Sequence, residues 1–188
     1  MRVRLLVSLA LIPLFLSACS GPRTLDPRTW FSRDTAASGA APRELPGVEA
    51  RLKPIGSALN GVVRARESGD LLIVRVELSN LPQGMYRVVF HANGNCSSPN
   101  GFSAGEQWLP PGAKGSPARL VPEIYTNSAG DAIVTARLRG VRLGGEGGLE
   151  KRGVLVYEGA NTDPPRPNVP NGVVACGVFE RSTALFGS

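Results

Sequence analysis

Alternation of apolar and polar residues is the feature that most constrains the fold of this chain. Residues 62–67 (VVRARE) alternate clearly and end at the turn Ser68-Gly69-Asp70, and residues 71–81 (LLIVRVELSNL) follow directly. One face of the second run carries Leu72, Val74, Val76 and Leu78. Because successive side chains of a strand point to opposite faces, this period of two predicts β-strands with one buried face. The short Gly/Asp turn between them predicts a β-hairpin.

Further candidate strands recur along the chain at 48–55, 85–92, 131–143, 153–159 and 173–182. Glycine (23 residues) and proline (16 residues) are frequent, which suits a fold with many turns. The sequence therefore predicts an all-β domain of eight short antiparallel strands, as a sandwich or flattened barrel. Two long loops, 93–118 and 160–171, interrupt the strands, and loops of this length are usually functional or tied down.

The N-terminal residues 1–19 predict a lipoprotein signal peptide. Arg2 and Arg4 precede an apolar run from Leu5 to Leu16, which spans about 18 Å and is too short for a hydrocarbon core of roughly 30 Å. The run ends in LSAC, which resembles the bacterial lipobox and implies a lipid on Cys19. Ser20, where aspartate marks inner-membrane retention, favours the outer membrane facing the periplasm. A plain secretory signal is the alternative.

Composition divides the remainder into a tether and a domain. Residues 20–46 are rich in Pro, Ala, Ser and Thr and predict a flexible tether, so the folded domain is expected at 47–188. The net charge of +6 is spread over scattered residues without a Lys/Arg run. This pattern argues against nucleic-acid binding and leaves the membrane, reached through the lipid, and an unidentified envelope component as expected partners.

Cys96 and Cys176 are the two cysteines that lipidation does not explain. In an exported domain such a pair predicts a disulfide. The bond would close a loop of 80 residues, worth up to about 4.5 kcal/mol in the chain-entropy model. It would pin the first long loop to the last predicted strand.

The order of these segments resembles the copper/zinc superoxide dismutase family over about residues 48–182. The similarity rests on several short motifs: LPxG at 81–84, NGNCS at 93–97, SAG at 103–105, Pro122 with Ile124, GVLV at 153–156 and, above all, VACGV at 174–178. The resemblance implies an eight-stranded Greek-key barrel, a disulfide that fastens the metal-site loop, and superoxide dismutation by copper and zinc.

Most of the family's metal ligands fall on residues that do not bind metals. His91, the only histidine of the chain, keeps the position of the second copper ligand. The other copper positions fall on Val89, Gln107 and Tyr157, and the zinc positions fall near Lys114, on Pro117 and on Leu120. The active-site arginine falls on about Val173. Copper or zinc needs three or four nitrogen or sulfur ligands, so no bound metal or other cofactor is expected.

These replacements predict an apolar filling in place of the metals. Val89, Tyr157 and Val173 would occupy the space with carbon, and His91 would be a neutral strand residue hydrogen-bonded beneath a loop, with Tyr157 and Glu106 as candidate partners. Trp108, in the same loop, would be either a buried plug or an exposed anchor. The expected function is that of a non-catalytic binding or structural module; the alternative is a superoxide dismutase with an unconventional copper site.

Overall fold

A computed structural model of the chain describes residues 46–165, 168 and 171–183. The predicted signal peptide, the lipidation position Cys19 and all but the last residue of the predicted tether lie outside the described residues. Within the described ranges, no helix is both long and apolar enough to cross a membrane.

The described residues form ten strands, in two antiparallel five-stranded sheets. In chain order the strands are β1 (Gly47–Arg51), β2 (Lys53–Pro54), β3 (Asn60–Ser68), β4 (Leu71–Ser79), β5 (Met85–His91), β6 (Ile124–Tyr125), β7 (Ala132–Arg139), β8 (Gly153–Glu158), β9 (Val173–Val178) and β10 (Glu180–Ser182). The first sheet has the order β10-β1-β3-β4-β7, and the second has the order β2-β9-β8-β5-β6. The prediction of an all-β fold is confirmed.

The predicted hairpin is confirmed in β3 and β4. Ser68 pairs with Leu71 across a turn of two residues, and the register runs on through Val63 opposite Val76. Gly69 in this turn has φ of 62°, a left-handed conformation that glycine adopts without steric cost. The alternating apolar side chains of both strands lie in the core, as the period of two requires.

The predicted strand number is wrong, and so is the closed barrel, one of the two predicted architectures. There are ten strands among the described residues rather than eight. Of the seven runs identified in the sequence, 48–55 and 173–182 each break, at Leu52 and Phe179, where the chain passes from one sheet to the other, and β6 lies outside all seven. The two sheets also remain separate and do not form a closed barrel, since their hydrogen-bonded order ends at β10 and β7 in one and at β2 and β6 in the other.

The main core lies between the two sheets. Phe90 of β5 packs edge-on against Phe179, with ring centroids 5.5 Å apart and planes at 79°. Val63 and Val74 of the first sheet belong to the same cluster and are fully buried.

The second sheet is covered on its outer face as well. On β5, Tyr86, Val88 and Phe90 point into the main core, while Val89 and His91 on the opposite face are equally buried. The first five residues of β8 (153–157) are all buried, which explains why this strand is a continuous apolar run rather than an alternating one.

Candidate functional site

A separate apolar cluster fills the space between the outer face of the second sheet and the loops above it. We call it the loop-side cluster; its buried members are Val89, Ala104, Ala118, Leu155, Tyr157, Val173 and Cys176. The strands β5, β8 and β9 supply five of them, and the first long loop supplies the two alanines. The three residues predicted to fill this space with carbon, Val89, Tyr157 and Val173, therefore pack together.

His91, at the end of β5, is fully buried (0% exposed) beside this cluster. Its Nδ1 lies 2.8 Å from the backbone oxygen of Gly105, and its Nε2 lies 3.1 Å from the hydroxyl oxygen of Tyr157. A carbonyl oxygen can only accept, so Nδ1 carries the proton and donates it. In the neutral ring Nε2 is then an acceptor, and Tyr157 donates to it. Both ring nitrogens are thus used within the protein.

Burial keeps both members of this pair uncharged. Desolvation lowers the pKa of His91 below its ordinary value, and the backbone hydrogen bonds of Gly105 and Glu106 offset this only in part. Desolvation raises the pKa of Tyr157, and the negative charge of Asp163 raises it further. At neutral pH the pair is a neutral phenol donating to a neutral imidazole.

The first long loop returns along the end of β5 and fixes this geometry. His91 and Gln107 form an isolated antiparallel bridge, and the amide of Trp108 donates to the carbonyl of Phe90 at 2.7 Å. The side-chain amide of Gln107 donates to the backbone oxygen of Thr162, so it joins the first long loop to the second. Of the two candidate side-chain partners for His91, Tyr157 forms the bond at Nε2, while Glu106 is exposed and interacts with His91 through its backbone.

The predicted disulfide between Cys96 and Cys176 is present, with the Cα atoms 5.7 Å apart. It joins the start of the first long loop to β9, as the sequence predicted. Ser98 and Ser103 brace the same loop, because the backbone amide of each donates to the hydroxyl of the other at 3.0 and 2.8 Å.

The positions predicted for zinc ligands do not gather around His91. Lys114 is exposed, Pro117 begins a 3₁₀ turn (Pro117–Arg119), and Leu120 packs against the main core rather than the loop-side cluster. Across the part of the chain that the structure describes, no three His, Cys, Asp or Glu side chains are grouped so that they could hold a metal ion.

Sequence reasoning missed the role of Arg152 and left that of Trp108 open. Trp108 is buried, and the guanidinium of Arg152 lies 4.4 Å from the centroid of its ring. The same guanidinium donates to backbone oxygens at Ala92, Glu146 and Gly148. The available signal for this role was the position of Arg152, directly before the buried run of β8. A charge next to a buried segment needs several hydrogen-bond acceptors.

Comparison with known proteins supports the fold alone. A crystal structure of the clock protein EA4 is similar to this chain, with a TM-score of 0.58 and 18% sequence identity. The likeness covers 72% of this chain and 94% of that one. No protein-family model matches the sequence, and no curated protein matches it.

Proposed function

We propose that this protein is a lipid-anchored component of the bacterial cell envelope, with a copper/zinc superoxide dismutase-like Greek-key fold that has lost catalysis and serves as a binding or structural module. The motif resemblance over residues 48–182 supports the family, and the two antiparallel sheets and the disulfide agree with it. The lipobox-like LSAC segment supports the anchor at Cys19.

The observation that carries this proposal is the hydrogen bonding of His91. A metal needs the lone pair of an imidazole nitrogen, and at His91 that lone pair accepts the hydroxyl of Tyr157. The other copper positions of the family offer the carbon of Val89, a phenol at Tyr157 and an amide at Gln107. This donor set does not fit copper or zinc, which need several imidazole or thiolate ligands.

In this proposal the loops are held by the chain's own contacts. Each fully buried valine or leucine of the loop-side cluster contributes about 1.5–3 kcal/mol, and the disulfide fixes the start of the first loop. The outer surface of the first loop is then a fixed surface that can meet a protein or an envelope polymer. Among the described loop residues, Phe102, in a 3₁₀ turn (Phe102–Ala104) with 46% of its surface exposed, is the largest exposed apolar side chain.

Metal loading tests the loss of catalysis. The full chain is incubated with copper and zinc, dialysed, and measured for bound metal and for superoxide consumption in the same sample. We expect neither, with the domain folded and the disulfide intact. Near-stoichiometric copper together with superoxide consumption would support the alternative, a superoxide dismutase with an unconventional site, and His91→Gln would show whether His91 belongs to that site.

Lipid labelling tests the anchor independently. Cells expressing the chain are fed labelled palmitate, and their membranes are fractionated. We expect label on the protein and its recovery with the outer membrane, and the loss of both in the matched Cys19→Ser variant. Label that persists in Cys19→Ser would show that Cys19 is not the lipidated residue.

A further inference from the structure

The three tyrosines of the chain differ in the group that accepts their hydroxyl proton. Tyr86 donates to a backbone carbonyl, and Tyr125, which is 66% exposed, donates to a carboxylate. Tyr157 is fully buried and donates to the imidazole nitrogen of His91. Burial makes this imidazole a weaker base than free imidazole, but it is the only nitrogen base among the three acceptors.

We propose that Tyr157 is a redox-active tyrosine, which gives one electron to a small radical oxidant in solution while its hydroxyl proton passes to Nε2 of His91. The O–H bond of Tyr157 breaks, and an N–H bond forms at Nε2. The electron reduces the oxidant, of the class of peroxyl or azidyl radicals, to its anion. Tyr157 is left as a neutral phenoxyl radical, and the step needs no metal. It is therefore an activity beyond the proposed binding role.

Hydrogen-bond acceptors around His91 offset part of the cost that burial imposes on its protonated form. Nδ1 already donates to the carbonyl of Gly105 at 2.8 Å, and a protonated Nε2 would donate back to the phenoxyl oxygen of Tyr157. The imidazolium would then have an acceptor on each side, which an ion in an apolar site requires. Because the proton stays within the pair, it can return when the radical is reduced.

Burial and the charge of Arg152 also determine which aromatic side chain keeps the radical. Tyr157 has no exposed surface, so its radical is shielded from coupling with a second ring, unlike a radical on the exposed Tyr125. Two other oxidisable rings are buried among the described residues: Tyr86, whose hydroxyl donates to a weakly basic backbone carbonyl, and Trp108, which lies beneath the positive guanidinium of Arg152 at 4.4 Å. A fixed cation above the indole opposes the removal of an electron from it.

Flash oxidation of the full chain tests the proposal. A photogenerated ruthenium tris-bipyridyl oxidant is the probe, and the radical is followed by transient absorption and by electron paramagnetic resonance after rapid freezing. We expect a long-lived neutral tyrosyl radical that is lost in Tyr157→Phe and kept in the matched surface variant Tyr125→Phe. In His91→Gln the introduced amide oxygen still accepts the hydroxyl hydrogen bond but is a very weak base. Radical formation should therefore slow by about a hundredfold, the size of a lost positioned base.

Three results would overturn the proposal. A radical that disappears in Tyr125→Phe and persists in Tyr157→Phe belongs to the surface. An unchanged rate in His91→Gln shows that His91 does not take the proton. The unmodified protein gives a third test that does not depend on any variant folding. Formation should be slower in deuterated water because the proton moves with the electron, and equal rates would refute this.

Discussion

Tyr157→Phe should destabilise the domain although it leaves the aromatic ring in place. The change removes only the hydroxyl, so the loop-side cluster keeps its volume and loses no carbon contact. It leaves Nε2 of His91 as a buried acceptor without its partner, in a residue with no exposed surface. An unsatisfied buried group of this kind costs about 1–3 kcal/mol. In a domain of this size that corresponds to a decrease in melting temperature of about 2–4 °C per kcal/mol.

Urea unfolding with the disulfide intact measures this loss as a shift in midpoint at constant slope. Tyr125→Phe is the matched control, because the hydrogen bond that it removes is exposed and should change the free energy of unfolding by less than about 0.5 kcal/mol. A double-mutant cycle with His91→Gln then isolates the coupling of the pair. If Tyr157→Phe is no more destabilising than Tyr125→Phe, the bond between Tyr157 and His91 does not stabilise the fold, and the reasoning fails.

Three further changes test other parts of the site. Burial depresses the folded-state pKa of His91, so the stability that neutral His91 contributes is complete above the unfolded pKa of about 6.5 and decreases as pH falls below that value. Free energies of unfolding measured from pH 8 to 5 should show this decrease in the unmodified protein. A pH profile identical to that of His91→Gln would contradict the expectation. Replacing Cys96 and Cys176 together by alanine should lower the free energy of unfolding by up to about 4.5 kcal/mol, and the unmodified protein in reductant should match the variant in the same urea titration. Gly105→Ala should cost about 1–3 kcal/mol and more than Gly112→Ala. Both glycines have positive φ, of 73° and 76°, but an added Cβ at Gly105 would lie 2.5 Å from the side-chain nitrogen of Asn93, whereas one at Gly112 would meet nothing within 4 Å. Equal costs by thermal unfolding would contradict the argument.

The strands were predictable where only one face is buried, because apolar and polar residues then alternate along the sequence. β3 and β4 are the clearest case. The breaks at Leu52 and Phe179 were not predictable, since each lies at a buried apolar residue and not at a turn residue such as glycine or proline. β6 was missed because two residues, Ile124 and Tyr125, are too few to show a period.

The residues of the candidate site were predictable from the sequence, but the hydrogen bonds that His91 forms were only partly so. The grouping of Val89, Tyr157 and Val173 followed from the family resemblance carried over position by position. The partner at Nδ1 of His91 is a backbone carbonyl, at Gly105, and every residue carries such a group, so the sequence does not mark it. Only the path of the first long loop selects it.

The pairing of β1 with β10 means that the first sheet can be completed only after the C-terminal strand has been made. Gly47 pairs with Ser182, and β2 pairs with β9, so each sheet joins strands from opposite ends of the domain. The hairpin of β3 and β4 closes over two residues and can form while the chain is still being made. Contacts between distant residues form slowly, because the intervening chain must first be ordered. A nascent chain that has not yet reached residue 173 therefore holds its first hairpin but can complete neither sheet.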